Sequence, residues 1–185
     1  MLRGEGLSTS DGETGCGGYN RGMSDLLLPS SALRVQAALD VKGVQARVVE
    51  MPATTRTAAD AARAVECQVG QIAKSLVFRG VSSGDAILVI TSGANRVDEA
   101  LVASATGERI EKASADFARE RSGFAIGGVP PLGHATEMRT FIDQDLLQYD
   151  LIWAAAGTPN TVFQFSAFEL PRMTGGTVIA VTRHK

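Results

Sequence analysis

The sequence predicts an α+β domain built on a mixed sheet. Helical and strand patterns are interspersed without strict alternation. Residues 86–91, AILVIT, form an almost wholly apolar run, and the last third of the chain holds strand-like segments joined by short turns or a single short helix. Strict β-α-β alternation would instead favour a doubly wound parallel sheet. At 185 residues, with 44% hydrophobic and 21% charged residues, the chain is long enough for one domain with a sizeable core and has ordinary globular composition. No apolar run approaches the roughly 20 residues of a membrane-spanning helix, and the N-terminus lacks the apolar core of a signal peptide, so the expected location is the cytoplasm.

Taken in order, residues 1–22 are rich in Gly, Ser, Thr and acidic side chains and read as a disordered leader to a domain spanning 23–185. Pro29-Ser30-Ser31 supplies a helix start with serine as N-cap, and Leu33, Ala37, Ala38 and Val41 recur at helical spacing until Gly43. Val44 to Glu50 alternates as a strand, and Thr54 to Thr57 leads into an alanine-rich helix over Ala58 to Cys67. Val69 to Phe78 opens as a helical turn and ends as a strand, with Lys74 at the joint. Ala86 to Thr91 is a strand buried on both faces at the centre of the sheet. Ser92-Gly93-Ala94-Asn95 turns the chain into a helix from Val97 to Thr106, stopped by Gly107, and Ser114 caps another through Glu120. Further strands are expected at Thr140 to Asp143, Leu151 to Ala155, Val162 to Phe165 and Thr177 to Thr182, with a short helix from Ser166 to Leu170.

The stretch Gly123 to His134, GFAIGGVPPLGH, holds four glycines and two adjacent prolines, so neither helix nor central strand runs through its second half. Pro130 and Pro131 stiffen the chain while Gly127 and Gly128 leave room for close approach of a ligand to the backbone. An ordinary tight connection between helix and strand has the same composition.

Net charge is −2 and the pI near 5.7, so any nucleic-acid contact must be local. Cys16 and Cys67 lie in unlike surroundings, and His134 and His184 are the only histidines, which argues against a disulfide framework and against a metal site. P-loop and G-x-G-x-x-G motifs are both missing. Lys74 lies among Ile72, Ala73, Leu76 and Val77, where it either snorkels from a strand end or stands as a positioned cation. A Ser75–Lys74 nucleophile pair is disfavoured because adjacent side chains on a strand face opposite ways. A Cys67–His134 pair lacks a family spacing. Asp98 reads as a helix cap, and Asp143 with Asp145 as a solvated turn.

The ordered set IAKSLVF (72–78), N-R-V-D (95–98), GGVPPLGH (127–134), FIDQDLL (141–147) and WAAAGTPNTVF (153–163) resembles the YbaK/prolyl-tRNA editing domain family of aminoacyl-tRNA deacylases, over roughly Ser30 to Val181. The resemblance implies a single domain with a mixed, largely antiparallel, partly barrel-like sheet flanked by helices. It also implies freestanding hydrolysis of the ester between a wrongly attached small amino acid and the terminal adenosine of a transfer RNA. A positioned water and a ribose hydroxyl of the substrate would stand in for a protein nucleophile. Lys74 matches the family lysine and would anchor the charged 3′ end, while Gly127, Gly128, Val129 and Pro131 would shape the adenosine site. Gly157, Thr158 and Pro159 lie where the family carries the motif after its A-G pair; some members have a histidine where this chain has Pro159. His134 is a secondary candidate. The implied partners are the aminoacyl-tRNA acceptor end and, second, an aminoacyl-tRNA synthetase, with no cofactor and no DNA. The alternatives are a non-catalytic module binding a tRNA end or a synthetase surface, and a small-molecule hydrolase using the same pocket.

Overall fold

The computed structural model describes residues 28–52 and 55–183, so the expected leader, Cys16 and His184 lie outside the described residues. The elements in chain order are α1 (Ser30–Val41), β1 (Val48–Glu50), α2 (Ala58–Ala64), β2 (Ile72–Gly80), β3 (Ala86–Ser92), α3 (Glu99–Thr106), β4 (Ile110–Lys112), α4 (Ala115–Ser122), β5 (Arg139–Asp143), β6 (Leu151–Ala155), β7 (Thr161–Ser166), α5 (Leu170–Thr174) and β8 (Thr177–Ile179). Short 3-10 turns occupy 69–71, 144–148 and 167–169.

The strands form one sheet in the order β1-β7-β6-β2-β3-β5-β8, with β4 added to β2. Four pairings are antiparallel and three parallel, the parallel ones being β2–β6, β3–β5 and β5–β8. This is the expected α+β domain with a mixed sheet. Its path starts at β1 and ends at β8, so the sheet does not close into a barrel.

All seven residues of β3 are buried, as an apolar run demands when both faces of its strand are covered. On one face, Ala73 and Val77 of β2 pack with Ala32, Val35 and Leu39 of α1 and with Val129 and Leu132 of the Gly/Pro-rich loop. On the other, Leu76 and Phe78 pack with Val102 of α3, and Ile72 packs with Ala61 and Ala62 of α2. Fully burying one such Leu, Ile or Phe is worth about 1.5–3 kcal/mol, so the two-sided cover of β2 and β3 is what fixes the sheet's centre.

Local chemistry sets most of the helix ends. Asp98 accepts from the N–H groups of Ala100 and Leu101 at 2.9 and 3.3 Å, and Gly107, at φ +81°, closes α3. Ser114 likewise accepts from Phe117 N–H. Three expectations are corrected. The N-cap of α1 is Pro29, whose carbonyl accepts from Ala32 and Leu33, and neither Ser30 nor Ser31 caps. Val44 to Arg47 is no strand: the Gln36 amide takes the hydrogen bonds of Ala46 O and Val48 N–H, and the ladder with β7 begins only at Val48. Finally, α2 stops at Ala64, and Glu66 takes a left-handed conformation at φ +55°.

The feature that positions the site is a split along one edge of β2. Parallel β6 pairs with it only at Ile72 and Ala73, and antiparallel β4 only from Phe78 to Gly80. From Lys74 to Leu76 no ladder runs on that edge, because its two neighbours diverge.

Candidate functional site

A cavity of about 340 Å³ opens in this split. Its floor is β2 from Ile72 to Phe78, and its walls are α2, Ala154 and Ala155 of β6, and the loop at Ile126, Gly127 and Val129. Its side under α2 is apolar, formed by Ala58, Ala61, Val65, Ile72 and Trp153. Among the described residues three cations line it, Arg56, Lys74 and Lys112, and no carboxylate does. On a chain of net charge −2, such a cavity selects anionic ligands.

Lys74 does not point into bulk water. Its half-buried ammonium donates to the carbonyl oxygens of Asn95 at 2.8 Å and Gly93 at 3.2 Å, both in the turn that follows β3. Burial pushes its pKa below the ordinary lysine value; the nearby Asp143 carboxylate opposes that shift and Arg96 adds to it. An ammonium has three N–H donors, so a third remains for a ligand.

Gly127 adopts φ +90°, open to glycine and strained for other residues, and the nearest atom to a Cβ placed there is Cγ of Arg56 at 3.4 Å. Lys74 and this loop, about fifty positions apart in sequence, therefore meet in one cavity. Gly128 has another task. A Cβ there would stand 2.9 Å from the Thr158 backbone, and the Gly128 carbonyl accepts from Gly157 N–H at 2.9 Å.

Of the nine residues expected at the site, Lys74, Gly127 and Val129 line the cavity. Gly128, Pro131, His134, Gly157, Thr158 and Pro159 are not among its lining residues and stand behind the wall. The Pro159 carbonyl accepts from Thr55 N–H at 2.7 Å and Thr55 Oγ1 at 2.8 Å, fastening the entry to α2. Thr158 is tied to Thr161 Oγ1 through its N–H at 3.1 Å and its hydroxyl at 2.8 Å. His134 Nε2 lies 2.8 Å from the Pro130 carbonyl, and its ring meets Phe124 edge-on. It braces the two prolines.

Neither nucleophile pair assembles. The Ser75 hydroxyl is buried on the opposite face of β2 from Lys74 and has no hydrogen-bond partner. Cys67 donates to the adjacent Gln68 carbonyl, and burial pushes its thiol pKa up. Asp143 is no solvated turn residue: it is fully buried and accepts four hydrogen bonds.

The model of the aminoacyl-tRNA editing domain matches residues 52–173. The chain belongs to that family. Its relatives include the uncharacterized protein YwhH of Bacillus subtilis (strain 168), 30% identical over 124 residues that make up 66% of this chain and 78% of that protein. A crystal structure of a proposed trans-editing enzyme for prolyl tRNA synthetase is 46% identical, covers 85% of this chain and 100% of its own, and superposes with a TM-score of 0.80. The hypothetical protein APE2540 is 27% identical over 81% of this chain and 99% of its own, with a TM-score of 0.76.

In this editing-domain chain, Arg56, Lys112 and Trp153 are cavity residues that sequence reasoning missed. Arg56 and Lys112 lie in polar segments that resemble any solvated surface, and Trp153 reaches the cavity only because β6 registers it against Ile72. His134 gives a testable consequence. Burial lowers its pKa from 6.5, Arg34 adds to this, and the Pro130 carbonyl opposes it. Because the folded value lies below the unfolded one, the unfolded chain binds the proton first, and stability is lost as pH falls through 6.5 toward the folded value. Thermal denaturation between pH 7.5 and 5.5 should therefore show a steeper acid-side loss of Tm in the wild type than in His134→Gln. Parallel curves would show that His134 is not held neutral.

Proposed function

We propose that this chain is a trans-acting aminoacyl-tRNA deacylase that removes a wrongly attached small amino acid from a transfer RNA, with prolyl-tRNA-type editing as the reaction class. The observation that carries the reading is that Lys74 and the backbone-exposing Gly127 turn line one cavity, whose described lining residues include three cations and no carboxylate. Family membership and the 46%-identical relative described as a proposed trans-editing enzyme support it.

In this reading the spare N–H of Lys74 holds an anionic oxygen at the substrate's 3′ end, and Arg56 and Lys112 receive neighbouring phosphates. The backbone around Gly127 and Val129 meets the terminal adenosine. The apolar side under α2 accepts a small side chain and excludes larger ones by clash; one methylene changes binding there by only about 1–3 kcal/mol. Water attacks the ester carbonyl carbon, the bond to the ribose oxygen breaks, that oxygen takes up one of the water's protons, and the amino acid leaves as its carboxylate with the other proton passing to solvent. With no triad assembled among the described residues, a ribose hydroxyl of the substrate assists the water.

A deacylation screen over several mischarged transfer RNAs tests this. Hydrolysis of at least one carrying a small amino acid is expected. Transfer RNA binding with no species hydrolysed would replace the reading with a non-catalytic module; turnover of simple esters that transfer RNA fails to inhibit would replace it with a small-molecule hydrolase.

A further inference from the structure

We propose that Asn95 is a positioning residue that sets the direction of the Lys74 ammonium, its side chain clamped between two carboxylates while its main-chain carbonyl holds the lysine. Asn95 Nδ2 donates to Asp143 Oδ2 at 2.8 Å and to Asp145 Oδ2 at 2.6 Å. Both neighbours are carboxylates, which accept and do not donate, so the amide nitrogen must face them. The carbonyl oxygen of the same residue accepts from Lys74 Nζ at 2.8 Å.

A lysine side chain alone is rich in rotamers and does not hold one direction. Two carbonyls take two of its three N–H groups, and the direction of the third is then fixed, provided the turn bearing them is rigid. Rigidity comes from Asp143. Its fully buried carboxylate also accepts from Thr91 Oγ1 and Ser92 N–H, each at 3.0 Å, and from Asp145 N–H at 3.1 Å. Gly93 is locked as well: its N–H donates to the Ile72 carbonyl at 2.7 Å, and a Cβ there would fall 2.2 Å from the Val69 carbonyl oxygen. The turn therefore has one geometry, and Asn95 is the link that transmits it from the buried carboxylate to the ammonium. In the N-R-V-D segment this gives the asparagine a task that the helix-capping Asp98 does not share.

The catalytic meaning of this device rests on the proposed deacylase reading, whereas the positioning itself is measurable without any substrate. Relaxation of the side-chain nitrogen and Cε of isotope-labelled lysine, in the whole chain, reads the order of Lys74 against the exposed Lys42. In the wild type, Lys74 should show an order parameter well above that of Lys42, and in Asn95→Ala it should fall to the level of Lys42. An unchanged Lys74 order parameter in folded Asn95→Ala overturns the proposal. Should Asn95→Ala not fold, Asp145→Ala removes one of the two acceptors that hold the amide. A partial fall is then expected, and none overturns the proposal.

On any mischarged transfer RNA that the wild type cleaves, Asn95→Ala should lower kcat about tenfold, with KM changed less than about twofold, since misdirection of a reacting-site group costs the transition state more than the ground state. A loss confined to KM would overturn the positioning role. If the wild type cleaves no charged transfer RNA, the deacylase reading fails, and the relaxation experiment still decides the role of Asn95.

Discussion

Lys74→Ala should lower the rate of deacylation of a mischarged transfer RNA by two to three decades, about 2.7–4 kcal/mol of lost transition-state stabilisation. The size follows from where the ammonium stands. It is half-buried and already oriented by two carbonyls, so in the proposed reading an anionic substrate oxygen would meet it in a poorly screened setting with little reorganisation. Replacement by arginine should not restore the rate, because a planar guanidinium does not fit a seat formed by two carbonyls 2.8 and 3.2 Å from one nitrogen. Single-turnover deacylation of the wild type and both variants, with circular dichroism to confirm folding, checks this. Unchanged turnover in folded Lys74→Ala would remove the lysine from the chemistry.

Much of this arrangement is legible in the sequence, wherever a local signal and a tertiary requirement coincide. AILVIT reads as a two-sided buried strand because only the middle of a covered sheet tolerates such a run, and β3 is buried throughout. Asp98, Gly107 and Ser114 read as caps because capping is a contact between near neighbours. Legibility ends where the decisive partner is distant. Ile110 to Lys112 carries no strand pattern of its own; it is extended because the end of β2 offers it a ladder. The acidic stretch after β5 looks solvated, yet donors from 91, 92, 95 and 145 converge on Asp143 and permit its burial. The same limit applies to the loop. Its glycines and prolines mark a rigid turn, but composition does not separate Gly127, which faces the cavity, from Gly128, which exists to let Thr158 approach.

The second large effect concerns that support. Gly157→Ala should destabilise the protein by about 2–4 kcal/mol, since it combines a strained left-handed backbone with overpacking. Gly157 sits at φ +94°, and a Cβ there would lie 2.8 Å from the Ser31 carbonyl oxygen, 2.9 Å from its carbon and 3.1 Å from Cε1 of Phe124. The Ser31 atoms are backbone in the first turn of α1, so they yield only if the helix moves, and α1 is anchored by the fully buried Ala32, Val35 and Leu39. For a chain of this size the loss corresponds to a fall in Tm of about 5–15 °C. Gly107→Ala is the matched control. It imposes a similar backbone demand, at φ +81°, with nothing within 4 Å of the new Cβ, and should cost only about 1 kcal/mol. The difference between the two variants isolates the contact with α1; equal losses would mean that the helix gives way freely. Gly157 also donates to Gly128, so a displaced 157–160 turn must carry the cavity loop with it. Deacylation by Gly157→Ala, measured well below its Tm, should therefore fall further than that of Gly107→Ala.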